Sequence, residues 1–188
     1  NPSACDELVE ATLSRFGRLD VLVNNAGIFE AATAEETTDD NWQQTIATNL
    51  DAPFYLSRAA IPHLRASKGA ILNIASDWGL VGGRRAVAYC ASKGGMVLMT
   101  KAMAMDHAHE GIRVNAVCPG DVETPMLYAE GASRGLSKQQ AVSEADQGSL
   151  TGRVTTPDEV AALVVFLASD AARQITGAAV PIDGGNSA

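Results

Sequence analysis

Four short apolar runs, Asp20–Val23, Ala70–Ile74, Ile112–Val117 and Ala178–Ile182, alternate with longer segments of helical periodicity. Apolar runs of this length, bounded by turn residues, read as buried strands. Strands separated by helix-length connections pair in parallel, because a parallel neighbour is reached only by a crossover. Parallel sheets are covered on both faces. The chain is therefore predicted to be α/β, a doubly wound parallel sheet with helices on both faces, in one domain over residues 1–188.

The helical segments carry their own signals. Leu8, Thr12, Leu13 and Phe16 form an approximate stripe ending at Gly17, a residue suited to a helix C-terminus. A long helix is predicted from Thr38 or Asp39 to Ala66, and another from about Val87 to Glu110. Thr156, Pro157 and Glu159 supply a capping threonine, a proline at the first helical position and a glutamate at the third, so a helix should run on to about Ala168. The longest stretch without periodicity, Pro119–Ser137, is read as a substrate lid, since ligands bind beyond the carboxyl ends of such strands.

Composition narrows the function. With 46% hydrophobic and 19% charged residues, the chain has the content of a globular domain with a core. No apolar run approaches the ~20 residues needed to span a bilayer, and Asn1–Glu7 lack the basic and apolar parts of a secretory signal. A cytoplasmic setting is expected. The net charge of −8 argues against nucleic-acid and anionic-membrane partners, whose phosphates need Lys and Arg. Cys5, Cys90 and Cys118 are odd in number and form no C-x-x-C pair, so neither disulfides nor zinc are indicated. His107, His109 and Glu110 end a helix without a further ligand at suitable spacing, and no metal is expected there.

The chemistry concentrates around one tyrosine. Tyr89 and Lys93 lie four residues apart, on one face of their predicted helix, and Ser76 stands thirteen residues before the tyrosine, just past a strand. A free phenol ionises near pH 10. A fixed cation favours the phenolate, so Lys93 is expected to lower the Tyr89 pKa and suit it to proton transfer. Pro53, four residues after Asn49, has no N–H to offer the Asn49 carbonyl, which should be left free.

Asn24-Asn25-Ala26-Gly27, Asn49, Ser76, Tyr89 with Lys93, Pro119-Gly120 followed by Thr124, and Asp183-Gly184-Gly185 stand in a single order and spacing. In these residues the chain resembles the short-chain dehydrogenase/reductase family over essentially its whole length. The resemblance implies a Rossmann-like fold, of which these residues would be the carboxyl-terminal portion, and an NAD(P)-dependent interconversion of a secondary alcohol and a ketone. It implies Tyr89 as general acid or base and Ser76 as holder of the reacting oxygen. Lys93 would bond the nicotinamide ribose, and the Asn49 carbonyl would hold a water in a proton relay. Asn24, Ala26 and Gly27 would lie beside the adenosine and central part of the cofactor. Pro119, Gly120, Val122 and Thr124 would meet its nicotinamide end, with Tyr89 and Lys93. A homotetramer built through the long helices and the last helix and strand is also implied.

The family's phosphate loop, T-G-x-x-x-G-x-G, does not occur in these residues, and Gly79–Gly83 follows Ser76 on the substrate side of the sheet. The expectation is that a cofactor-binding amino-terminal segment, with the residue that separates NAD from NADP, precedes Asn1. The cofactor is thus NAD or NADP, with NAD faintly preferred. Asp77, Trp78, Asp121, Glu123, Met126 and Tyr128 suggest a mixed pocket for a cyclic ketone, a polyol or sugar, or a 3-oxoacyl group. An acyl carrier protein partner is disfavoured by the shared negative charge. The alternatives are a non-catalytic or truncated subunit of the same fold, and a sugar-nucleotide epimerase or dehydratase.

Overall fold

The computed structural model describes residues 1–188. Strands β1 (Val21–Asn24), β2 (Ala70–Ile74), β3 (Arg113–Pro119) and β4 (Ala179–Ile182) hydrogen-bond in that order into one parallel sheet. The register sets Asn24 beside Asn73, Ile74 beside Val117 and Pro119 beside Ile182, so the carboxyl ends form one edge. The helices are α1 (Pro2–Phe16), α2 (Asp39–Ile46), α3 (Ala52–Ser67), α4 (Val87–His107), α5 (Pro125–Ser133), α6 (Lys138–Gly148) and α7 (Pro157–Ala168).

Period-two alternation divides the core between the two faces. Ile71 and Val114 pack with Ala60 and Leu64 of α3 and Met103 of α4, and Ala116 and Cys118 pack with Met96 and Val97. On the opposite face Ala70, Leu72 and Val117 pack with Leu167 of α7. Leu64, Ile71, Leu72 and Met96 are fully buried, each stabilising the fold by about 1.5–3 kcal/mol. All three crossovers step the same way across the sheet, yet α7 lies on the face opposite α3 and α4. The connection from β3 to β4 therefore has the opposite hand to the first two, an uncommon arrangement among parallel crossovers.

Several details differ from the sequence expectations. In α1 the buried residues are Cys5 and Val9, while Leu8 and Phe16 are exposed, because the helix meets α3 through Val9 and Leu13. β1 is an edge strand rather than a buried one: Val23 is exposed and only Asn24 is fully buried. The long helix before β2 is interrupted by a π-helical turn, Ala47–Asp51, in which the Ala52 N–H reaches back to the Ala47 carbonyl. The lid is largely ordered. It forms α5, and α6 follows behind a Ser137–Gln140 capping box. Gly131 lets the two helices touch, since a Cβ there would stand 2.5 Å from the Ala141 Cβ.

Candidate active site

Ser76 leaves β2 in an extended conformation and caps the short 3₁₀ turn Asp77–Gly79 by accepting the Trp78 N–H at 3.1 Å. That turn is pressed against α4, because a Cβ on Gly79 would come within 2.8 Å of the Lys93 carbonyl oxygen. The contact brings Ser76 to Tyr89 in the first turn of α4. Phe29, from the loop after β1, and Trp78 stand edge-on to the phenol ring at centroid distances of 5.2 and 6.2 Å. Ser76, Tyr89 and Lys93 thus converge at the carboxyl edge of the sheet, as the spacing led one to expect.

The electrostatics differ from the sequence expectation. Burial pushes the Tyr89 phenol up to about 12, Ser76 opposes the rise, and Asp77, Cys90 and Asp121 add to it. Lys93 is not among the strongest influences on it. Its ammonium lies 5.6 Å from the tyrosine ring centroid and donates to the Ile74 carbonyl at 2.7 Å. Burial also pulls the lysine down to about 8, which weakens the cation on which phenol activation would depend. The Ser76 hydroxyl also donates to Asp77 Oδ1 at 2.9 Å.

Asn49 sits in the π-helical turn, fully buried. Its side-chain amide accepts the Ile28 N–H at 2.9 Å and donates to the Ile28 carbonyl and to the Ser92 hydroxyl, which bonds the Tyr89 carbonyl. Pro53, with no N–H, leaves the Asn49 carbonyl without its i+4 partner. Sequence reasoning missed Ser92, Phe29 and Asn186; only the position of Ser92 beside Lys93 could have drawn attention to it.

The residues assigned to the cofactor fall into three groups. Asn24 turns inward, with its amide on Asn73 Oδ1 at 2.7 Å and Ser57 Oγ at 3.2 Å, so its side chain supports the sheet. Ala26 is exposed and Gly27 half-buried in the loop beyond β1. Pro119 and Gly120 end β3, and Val122 bridges to Thr155. Thr124 occupies the N-cap position of α5 but does not cap it; its hydroxyl bonds the Val122 carbonyl at 3.2 Å.

A nicotinamide dinucleotide fits these residues at its ribose end. A Cβ on Gly27 would stand 3.4 Å from Lys93 Nζ and 3.5 Å from Asn49 Oδ1, so the bare glycine opens the ammonium to the loop. Only one of the three Lys93 donors is used, on Ile74, which leaves two for ribose hydroxyls. Beside Ser76 lies a cavity of about 240 Å³, lined by Asp77, Trp78, Asp121, Ser149, Arg153 and Asn186. A larger cavity, about 530 Å³, opens at the other end of the strands among Lys68, Gly69, Arg113 and Arg173, away from this chemistry. His107 Nδ1 lies 3.0 Å from the Glu110 carboxylate, which also holds Arg65. Arg85 pairs with Glu36 across the surface.

A family model described as Enoyl-(Acyl carrier protein) reductase matches residues 1–187. Meso-2,3-butanediol dehydrogenase of Serratia marcescens is 40% identical over 98% of this chain and 71% of its own. The chain belongs to the short-chain dehydrogenase/reductase family. Another member, trans-4-hydroxycyclohexanecarboxylate dehydrogenase of Sinomonas cyclohexanicum, is 43% identical over 96% of this chain and 65% of its own. The ligand-free aldohexose dehydrogenase of Thermoplasma acidophilum superposes with a TM-score of 0.94 at 34% identity, covering 100% of this chain and 75% of that one. This short-chain dehydrogenase/reductase thus spans about two thirds to three quarters of the length of these relatives.

Proposed function

We propose that the protein is an NAD(P)-dependent oxidoreductase that interconverts a secondary alcohol and a ketone, with Tyr89 as the general acid or base. The observation that carries this reading is the convergence of Ser76, Tyr89 and Lys93 at the carboxyl edge of the sheet, beside a polar cavity. The bound dinucleotide supplies or accepts the hydride. The chain's own residues handle the proton and the geometry. Tyr89, half-buried and protonated, is placed to donate its proton to a carbonyl oxygen or to receive one from an alcohol. Ser76 lies beside it to hold the same oxygen. Lys93, with two free donors, orients the nicotinamide ribose, and Phe29 and Trp78 shield the phenol from water.

The relatives named above act on diols, hydroxycyclohexane acids and aldohexoses, which supports a small hydroxylated substrate here. No preference between NAD and NADP follows from these residues. A homo-oligomer belongs to the same proposal: Leu98 and Met105 on α4 and Val165 and Phe166 on α7 present exposed apolar side chains on the helices named for it. No helix is long and apolar enough to cross a membrane. A cytoplasmic setting is supported by three unpaired cysteines. The test is a panel of alcohols and ketones with both cofactors on the full-length protein, alongside Tyr89→Phe. Turnover should vanish in the variant while dinucleotide still shifts its thermal melting. Comparable rates in the two proteins would exclude the tyrosine mechanism, and failure of both to bind dinucleotide would favour a non-catalytic subunit.

A further inference from the structure

We propose that the cavity beside Ser76 takes a neutral, polyhydroxylated substrate and turns carboxylates away, with Asp121 as the residue that sets this choice. The proposal rests on the oxidoreductase reading and narrows the substrate of that same site. The carboxylates of Asp77, Asp121 and Asp183 line the cavity against one guanidinium, that of Arg153. A hydroxy acid would need a free cation there.

Arg153 is already engaged by Glu159, to which it donates through Nη1 at 2.9 Å and Nη2 at 2.6 Å, and Nη1 also bonds the Val154 carbonyl. The Arg153 bonds, joined by the Thr156 N–H, hold the Glu159 carboxyl down to about 2, so the pair stays ionised at neutral pH. Arg134, the cation that acts on Asp121, is shared between Glu130 and Glu144. No positive charge is left over for an anionic substrate.

The three carboxylates differ in what they can still accept. Asp77 takes the Trp78 N–H at 2.7 Å and the Asn186 amide at 2.6 Å, and Asp183 takes the Gly185 and Ser187 N–H groups and the Ser187 hydroxyl. Asp121, just past the end of β3, has no hydrogen bond to its carboxylate; partial burial and then the Asp77 charge push that carboxyl up. It acts in turn on Tyr89, which sets it at the reacting end of the cavity. An open carboxylate accepts hydroxyl hydrogens in charge-assisted bonds, whereas a second carboxylate brought beside it is repelled.

The remaining walls match hydroxyl groups as well. Asn186 keeps one N–H and its side-chain carbonyl for a ligand. Trp78 adds an apolar wall, held by Phe29 at a centroid distance of 5.7 Å and by Gly83, where a Cβ would overlap the indole. Polar acceptors beside an aromatic ring suit the mixed faces of a polyol or cyclic sugar. The cavity, about 240 Å³, is smaller than the ~300–1,000 Å³ of drug-sized sites, which suits a small molecule.

The test is initial rates of the full-length protein, with NAD and with NADP, on compounds that share a skeleton and differ in charge: propylene glycol, lactate and isopropanolamine, then glucose, glucuronate and glucosamine. The neutral member should exceed the acid in kcat/KM by at least about 10-fold, the effect of one close like charge. Asp121→Asn should lower that ratio about 10-fold through a gain on the acid. Equal rates on neutral and acid, a preference for the acid or the amine, or an unchanged ratio in Asp121→Asn would each overturn the proposal and leave the oxidoreductase reading standing. Parental turnover in Tyr89→Phe would instead sink the acid or base role, even where the neutral members are preferred. Should no compound be turned over, thermal melting with cofactor and a large excess of each compound decides: a rise in Tm with the neutral members alone supports the proposal, and any other pattern overturns it.

Discussion

Gly79 offers a stringent test of how the serine loop meets the tyrosine helix. In Gly79→Ala the added Cβ would lie 2.8 Å from the Lys93 carbonyl oxygen, 2.9 Å from its carbon and 3.3 Å from the Gly94 nitrogen. Carbon contacts settle near about 3.5–4.0 Å, so the loop must retreat by roughly half to one ångström from a helix backbone that cannot yield cheaply. Overpacking of this kind costs about 1–3 kcal/mol, which lowers Tm by roughly 2–12 °C for a chain of this size. Ser76 lies three residues back on the same loop, and a displacement near 1 Å at a reacting group lowers the rate by as much as ~100-fold. The expected outcome is therefore a lower Tm together with a 10- to roughly 100-fold fall in kcat. Gly82→Ala is the internal control, because a Cβ there meets nothing within 4 Å, and its stability should stay within about 0.5 kcal/mol of the parent. Thermal melting and initial rates of the three proteins decide the matter. Equal Tm and kcat in Gly79→Ala and the parent would refute the close approach.

Burial holds the Lys93 ammonium at about 8 instead of its ordinary 10.5. Between those values the unfolded chain keeps a proton that the folded protein has lost, so stability rises with pH across the window and the burial cost is fully present below about pH 8. Lys93→Met should remove that cost, near 3 kcal/mol, at the loss of a bond worth about 1 kcal/mol, for a net gain of about 2 kcal/mol at pH 7. Turnover should be abolished. Melting of the cofactor-free protein at pH 7 and pH 10 checks this, and a gain that does not shrink toward pH 10 would contradict the burial argument. Thr156→Ala breaks the reciprocal bonds by which Thr156 Oγ1 takes the Glu159 N–H and Glu159 takes the Thr156 N–H. It should cost about 1 kcal/mol and a few degrees of Tm with unchanged rates, and a fall in kcat would show that α7 communicates with the site.

Most of the secondary structure was legible because its signals are local. β2 appears at Ala70–Ile74, and α7 begins at Pro157 behind the capping threonine, as the residues foretold. α5 was less visible, since its ends lack a side-chain cap and its stability comes from neighbours such as α6. Thr124 looks like a cap and stands in that position, yet spends its hydroxyl on Val122. The outward turn of Leu8 and Phe16 depended on where α3 lies, which no stripe of one helix can specify.

From its residues alone, this chain determined the order of strands and helices and the placing of Tyr89 and Lys93 on one face of a helix, because turn chemistry, periodicity and i,i+4 spacing act over a few residues. Only the tertiary structure decided the proton affinities. Tyr89 rises to about 12 and Lys93 falls to about 8 because desolvation depends on atoms drawn from every part of the chain. It also decided that Asp77 meets Asn186, 109 residues away. Local rules place a side chain on its element; the packing of elements sets the water, charge and partners it finds there.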